Sequence, residues 1–151
     1  MSEDALAAVV DEPAIRAVLA ECAQRLDAAD PTWVDTFTPD GVFEVVDAAT
    51  GHRLHRQEGH ADLTRYVAGA PRPPNCRQHV VTNLVIDVDG DEAHVESYWQ
   101  LLERDGDGHP ILVAFGRYHD RLVRDADRWR LAERHAEIDA NTRTRPTSPG
   151  S

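Results

Sequence analysis

The sequence predicts an α+β fold in which amino-terminal helices pack against a curved, mostly antiparallel sheet. Three observations carry this. Apolar residues at helical spacing occur only in the first half of the chain. Four long segments rich in alternating apolar and polar residues fill the second half: Gln78–Asp87, Ala93–Leu102, Ile111–Arg124 and Arg128–Ile138. Short polar stretches alone separate them, namely Asp89-Gly90-Asp91, Asp105-Gly106-Asp107-Gly108 and Asp125-Ala126-Asp127, and such turns make hairpins. Helices first and a meander afterwards is the α+β order. A strongly curved sheet needs its concave face covered, and the helices are the material available. The product is a cone with a dead-end cavity, a usual place for a ligand.

The elements follow in order. Residues 1–10 read as a short helical lead-in. Pro13 suits the first turn of a helix, where its missing N–H costs nothing. Ile15, Val18, Leu19, Cys22 and Leu26 then form one apolar stripe, and the helix is expected to end near Ala28. Asp30-Pro31 restarts the chain as a cap followed by a proline in the first turn of a short second helix with Trp33, Val34 and Phe37. Thr38-Pro39-Asp40-Gly41 reads as a turn, and Val42–Val46 as a short strand at the edge of the sheet. After a turn at Asp47–Gly51 the chain passes His52, His55 and Glu58. Gly59–Ala68 reads as a third helix with Leu63, Tyr66 and Val67 facing inward. Ala70–Asn75, with three prolines, is a stiff loop ahead of the strands. One domain over residues 1–139 and a disordered tail over 140–151 are expected.

Composition narrows the function classes. The chain has 151 residues, enough for one domain with a sizeable core, and 41% of them are hydrophobic. The formal net charge is -11, and every Lys/Arg position is an arginine. That balance argues against a nucleic-acid partner and against adsorption to anionic lipid. No apolar run approaches the roughly 18 residues that span a membrane, and the acidic start cannot serve as a secretory leader, so a cytoplasmic location is expected. Two cysteines, Cys22 and Cys76, make neither a disulfide framework nor a closed zinc site. Neither a glycine-rich phosphate cradle nor a Gly-x-Ser-x-Gly elbow is present. His52, His55 and His60 match no strong metal signature and read as surface or pocket-rim residues. No cofactor and no metal are expected.

The residues that point to chemistry lie on the first long strand. Period two puts His79, Val81, Asn83 and Val85 on one face of it. A histidine and an amide on a covered face need partners, so they either hold the fold together or line a pocket. Histidine titrates near neutrality and can take and return a proton. Asn83 could hold a substrate oxygen or bond nearby backbone. Tyr98 and Trp99 point to opposite faces, so one of them can line the cone. Tyr118 is a candidate hydroxyl donor with Asp120 on its face. Trp33 and Trp99 are candidates for the pocket wall, and Arg134 calls for a carboxylate partner if its face is closed.

The run Leu26-Asp27-Ala28-Ala29-Asp30, then Trp33, then Phe37-Thr38-Pro39-Asp40-Gly41-Val42-Phe43 is followed by His79-Val80-Val81-Thr82-Asn83, Gly116-Arg117-Tyr118-His119-Asp120, Trp129-Arg130-Leu131 and Arg134. In this order, over roughly residues 10–138, the chain resembles the SnoaL-like branch of the nuclear-transport-factor-2-like superfamily. Relatives there include scytalone dehydratase, hexachlorocyclohexane dehydrochlorinase, polyketide cyclases and the small subunit of ring-hydroxylating dioxygenases. The resemblance implies the cone-shaped cystatin-like roll and a His–Asp dyad, with His79 as base and Asp27 as its orienter. Asp30, directly before Pro31, is better explained as a helix cap. The tyrosines that scytalone dehydratase supplies from its helical half have no counterpart, because Leu19 and Leu26 stand in that stretch.

The expected function is cofactor-independent acid–base chemistry on a small, largely apolar molecule: elimination first, with isomerisation or cyclisation as alternatives. His79 and Asp27 would be catalytic, and Asn83, Tyr118, Tyr98, Trp99 and Trp33 would contact substrate. The rival is a non-catalytic small-molecule binder or an assembly subunit, in which His79 and Asp27 form an internal polar pair. The resemblance also implies pairing through the sheet, so a homodimer or homotrimer is expected.

Overall fold

A computed structural model describes residues 2–71 and 76–142. Helix α1 runs Glu3–Asp27 and a 3₁₀ helix follows at Pro31–Thr36. Strands β1 (Phe37–Asp47) and β2 (Arg53–Glu58) precede helix α2 (Gly59–Ala68). Strands β3 (Arg77–Asp89), β4 (Glu92–Arg104), β5 (Pro110–Asp125) and β6 (Arg128–Asn141) complete the chain. The six strands form one sheet in the order β2-β1-β6-β5-β4-β3, antiparallel except where β1 runs parallel to β6. The predicted α+β architecture, a curved sheet packed against amino-terminal helices, is what the chain adopts.

The helical half differs from the sequence reading in two respects, one being that Phe37, expected in the second helix, is the first residue of β1. The lead-in and the first helix are a single helix, and Pro13 lies inside it rather than at its start. Ser2 caps it by accepting a hydrogen bond from the Ala5 amide at 3.1 Å. The first turns sit clear of the core, with Leu6, Val9 and Val10 exposed. From Asp11 onward one face is buried: Ile15, Val18, Leu19, Cys22 and Leu26. Burial of each large apolar side chain contributes roughly 1.5–3 kcal/mol, which offsets the hydrogen bond Pro13 cannot make. Asp11 is buried and accepts from Arg124 Nη1 at 2.8 Å and Trp129 Nε1 at 3.3 Å, fastening the helix to β5 and β6. At the 3₁₀ helix Asp30 is the cap, its carboxylate accepting the Thr32 amide at 2.9 Å.

Three corrections concern the sheet. The expected turn at Thr38–Gly41 is absorbed into β1 as an irregularity between Phe37 and Val42. β1 is not the edge strand, because β2 covers its free side and β6 its other. β2 was not legible: its sequence, Arg-Leu-His-Arg-Gln-Glu, has no β-branched residue and is largely exposed. A bulge at Leu54 turns that leucine outward and leaves His55 opposite Val45. Of the expected proline-rich loop, residues 72–75 lie outside the described residues. At the carboxy terminus β6 continues to Asn141, and Thr142 bonds the Val113 carbonyl through its amide (2.8 Å) and hydroxyl (3.1 Å). Residues 143–151, the rest of the expected tail, lie outside the described residues.

The core fills the concave side. Trp33 and Phe37 meet edge to face at 5.0 Å between ring centroids, and Leu63 and Val67 of α2 join Val95, Leu122 and Leu131 of the sheet. At Gly116 the β6 backbone comes close to β5: a Cβ there would stand 1.8 Å from the Glu137 carbonyl oxygen and 2.9 Å from the Trp99 ring. Gly116→Ala is therefore expected to destabilise the fold by about 1–3 kcal/mol, the scale of overpacking. Urea unfolding that leaves the midpoint unchanged would show that the ladder gives way at no cost.

Candidate active site

His79 lies near the start of β3, which forms one edge of the sheet and packs against α1. An edge strand leaves alternate amides without a ladder partner. Asp27, the last residue of α1, fills that gap: its Oδ2 accepts the His79 amide at 2.9 Å. Its Oδ1 lies 2.6 Å from His79 Nδ1. Both side chains are largely enclosed, 9% and 14% exposed. A carboxylate can only accept, so Nδ1 carries the proton, and in the neutral ring the lone pair is on Nε2. Nε2 has no partner among the described residues and is not sealed from solvent. The clamp thus fixes the tautomer and orientation of a ring that lines a cavity.

That cavity has a volume of about 130 Å³. Its apolar wall comes from Leu26, Phe43, Val45, Trp99, Leu101 and Ile138. Its polar side chains include His55, Tyr66, Arg77, His79 and Tyr118. The volume is close to the roughly 150 Å³ of a dry cavity that takes up benzene, so a single ring is the natural scale of an occupant. A larger depression of about 360 Å³ lies on the other face of the sheet, lined by Asn83, Tyr98 and Arg117 among others. The His–Asp pair does not border it.

The predicted residues divide between these two places. Trp99 lines the cavity, and Tyr98 is 48% exposed on the outer face with Arg117 over its ring at 5.4 Å. Tyr118 lines the cavity and stacks on Trp99 at 5.8 Å. Its hydroxyl pKa is driven well above the ordinary tyrosine value, chiefly by burial, so it stays protonated. Trp33 lies against Phe37, Phe43 and Tyr66, and its Nε1 is buried without a hydrogen-bond partner among the described residues. Asn83 does not share the His79 face. It adopts a left-handed backbone (φ 57°) at a bulge between Thr82 and Val85, and its side chain is exposed. The bulge reverses the alternation: Val81 faces the core before it, and Leu84, Ile86 and Val88 after it.

Arg134 finds the carboxylate that its burial requires. Asp120 accepts Arg134 Nε and Nη2, each at 2.9 Å, and the guanidinium lies 3.8 Å from the centroid of the Tyr118 ring. Burial by itself would lower the Arg134 pKa, but Asp120 more than offsets it and holds the group above its usual value. The pair braces the ring that forms part of the cavity wall.

Three cavity residues escaped assignment from sequence. Tyr66 was read as inward-facing, without a role. Arg77 stands two residues before His79 on the same strand face, so its position was legible by parity. His55 is half-buried in the cavity wall, 5.4 Å from the Phe43 ring and 5.1 Å from the Tyr66 ring. It could not be found from hydropathy, because the bulge points the apolar Leu54 out and the histidine in. Its former companions lie elsewhere: His52 is exposed, and His60 Nε2 lies 3.0 Å from the Phe37 carbonyl oxygen. Among the described residues, Asp105, Asp107 and His109 form a cluster of potential metal ligands. Asp105 there accepts the Asp107 and His109 amides, which is turn chemistry.

Burial disfavours the charged imidazole of His55 and pushes its pKa below the ordinary histidine value. An unfolded histidine titrates near pH 6.5, so below that pH the unfolded chain binds more protons at this position. The His55 contribution to stability is therefore fully present above about pH 6.5 and is lost as pH falls through the folded value. Thermal melts between pH 7.5 and 5 are expected to show this decline, and His55→Phe is expected to flatten it. An identical slope in the variant would exclude His55 as the cause.

The comparisons agree with this architecture. The SnoaL-like domain family matches residues 7–135. Rv3472 of Mycobacterium tuberculosis, a protein of unknown function solved as an aspartate-to-asparagine variant, is 25% identical. It superposes with a TM-score of 0.75 over 89% of this chain and 75% of that one. A protein of Novosphingobium aromaticivorans provisionally named the beta subunit of an aromatic-ring-hydroxylating dioxygenase is 22% identical, with a TM-score of 0.76 over 88% and 92% of the two chains. Another from that organism, provisionally named a scytalone dehydratase, is 21% identical, with a TM-score of 0.71 over 93% and 91%. Among curated proteins none matches in sequence. The match over residues 7–135, on a cone that holds a His–Asp pair in its wall, makes the chain a member of the SnoaL-like domain family.

Proposed function

We propose that the protein is a cofactor-independent acid–base enzyme acting on a small, largely apolar ring compound. One observation carries this reading: His79 is held by Asp27 through Nδ1 while its ring lines a cavity that opens to solvent. A histidine serving stability alone gains nothing from an open second nitrogen. His79 Nε2 takes a proton from a carbon next to an activating group. Asp27, and the negative end of the helix it terminates, stabilise the imidazolium that results. The same nitrogen returns the proton to a leaving oxygen or to another carbon. The Tyr118 hydroxyl, kept protonated by its surroundings, is available to developing oxygen charge. Elimination is the first reading, because one base that removes and returns one proton completes it; isomerisation and cyclisation start from the same step. Asn83 and Tyr98, on the outer face, fall outside this scheme.

The test is proton exchange. Single-ring ketones, hydroxy compounds and halides are incubated with the protein in D₂O, and deuterium uptake or elimination is followed by NMR and mass spectrometry. Turnover in wild type that vanishes in His79→Ala supports the enzyme. Binding without exchange or turnover in both proteins supports the rival reading, a small-molecule receptor built on the same cone. A homodimer or homotrimer that covers the outer sheet face, where Val85, Tyr98 and Phe115 are exposed, is part of the proposal. Light scattering that gives a monomer at micromolar concentration removes it.

A further inference from the structure

The cavity wall contains two polar atoms that the fold leaves unpaired. His55 Nδ1 and Arg77 Nε are both sealed from water, and neither has a hydrogen-bond partner among the described residues. Buried hydrogen-bonding groups are satisfied in the large majority of cases, and each exception calls for an explanation. Both belong to side chains that line the same cavity as His79. Arg77 is a permanent cation, and its Nε, turned away from water, meets no hydrogen-bond acceptor among the described residues. An arginine turned toward an apolar pocket without an acid is costly unless an anion completes it.

The neighbours are arranged to the same end. Tyr66 packs at 5.1 Å from the His55 ring. Burial raises the Tyr66 pKa, with Arg77 close enough to oppose that rise, so Tyr66 remains a hydroxyl donor beside the guanidinium. The other groups lining the cavity are Tyr118 on β5, Asn141 on β6 and the apolar Phe43 and Val45 on β1. Among the described residues no acidic side chain lines it. In a protein with a net charge of -11 the cavity is thus a locally cationic and donor-rich place.

We propose that Arg77, His55 and Tyr66 form an anion subsite that takes the carboxylate of a single-ring organic acid. Arg77 supplies the charge and a two-pronged fork that matches a carboxylate. His55 and Tyr66 supply flanking donors. Arg77 and His79 are two residues apart on one strand face, roughly 7 Å along the strand. That is about the span of one ring, so a carboxylate on Arg77 presents the far side of the ring to His79 Nε2. The orientation toward His79 rests on the acid–base reading above; the anion subsite itself does not.

Benzoate and its neutral isostere benzamide test this by calorimetric titration, without any turnover. Wild type is expected to bind benzoate at least 10-fold more tightly than benzamide. Arg77→Met is expected to abolish that preference, Arg77→Lys to keep part of it, and His55→Phe to weaken benzoate by a smaller factor. His79→Gln is expected to retain the preference, which separates the subsite from the catalytic reading. Circular dichroism checks that each variant is folded. Equal binding of the two compounds by wild type, binding of neither, or a preference that survives Arg77→Met would overturn the proposal. A preference lost in His79→Gln as completely as in Arg77→Met would also overturn it, since the anion would then sit on the histidine.

Discussion

Replacing His79 with alanine is expected to lower turnover by about 100-fold or more, the usual scale for removing a general base, while the protein stays folded. The side chain lines the cavity instead of filling the core, and its backbone amide can still bond Asp27 Oδ2. Added imidazole is expected to restore part of the rate, because the truncation leaves room for it beside Asp27. Asp27→Asn is expected to cost activity on a similar scale. The amide keeps the shape but removes the charge that stabilises the imidazolium, and it turns one of the two acceptor oxygens that hold the His79 amide and ring into a donor. The compounds found by the exchange screen serve as substrates for these assays. Full activity in His79→Ala would discard the mechanism, whatever the fold.

The largest expected effect on stability lies at Arg134 and Asp120. Their side chains are 4% and 0% exposed and share two hydrogen bonds of 2.9 Å. Asp120→Ala or Arg134→Met leaves a buried charge without its partner and is expected to destabilise the fold by about 3–5 kcal/mol. The double variant Arg134→Met/Asp120→Leu removes both charges and is expected to recover most of that loss. Urea unfolding of the two singles and the double measures the coupling directly. Singles that lose less than about 1 kcal/mol would mean that water or a rearranged neighbour takes the place of the missing partner. Because Arg134 also lies over the Tyr118 ring, a folded single variant should show a disturbed cavity before it shows a disturbed sheet.

How much of this was legible can be argued from particular residues. Alternation and turn residues marked out β3 to β6, since both signals are local: a strand's two faces and a hairpin's turn are written in consecutive residues. That Tyr98 and Trp99 face opposite ways followed from the same rule; which of them lines the cavity did not. Asn83 did not, because one inserted residue reverses every later side chain, and its location depends on where β4 will pair. β2 was hidden because a strand that borders a covered edge can be polar along most of its length. The meeting of Asp27 and His79, 52 residues apart, was suggested by the resemblance and not by any periodicity.

The sequence alone determined the helices-then-meander class, the succession of the four long strands and the buried stripe of α1. Each depends on periodicity or on turn and cap chemistry within a few residues. The tertiary structure alone decided that β1 lies inside the sheet, that Asp27 grips both the amide and the ring of His79, and that His55 from β2 and Tyr66 from α2 stand with Arg77 in one wall. Those outcomes depend on how distant segments satisfy one another's exposed edges and buried polar atoms. That balance is struck only when the whole sheet has closed around its core.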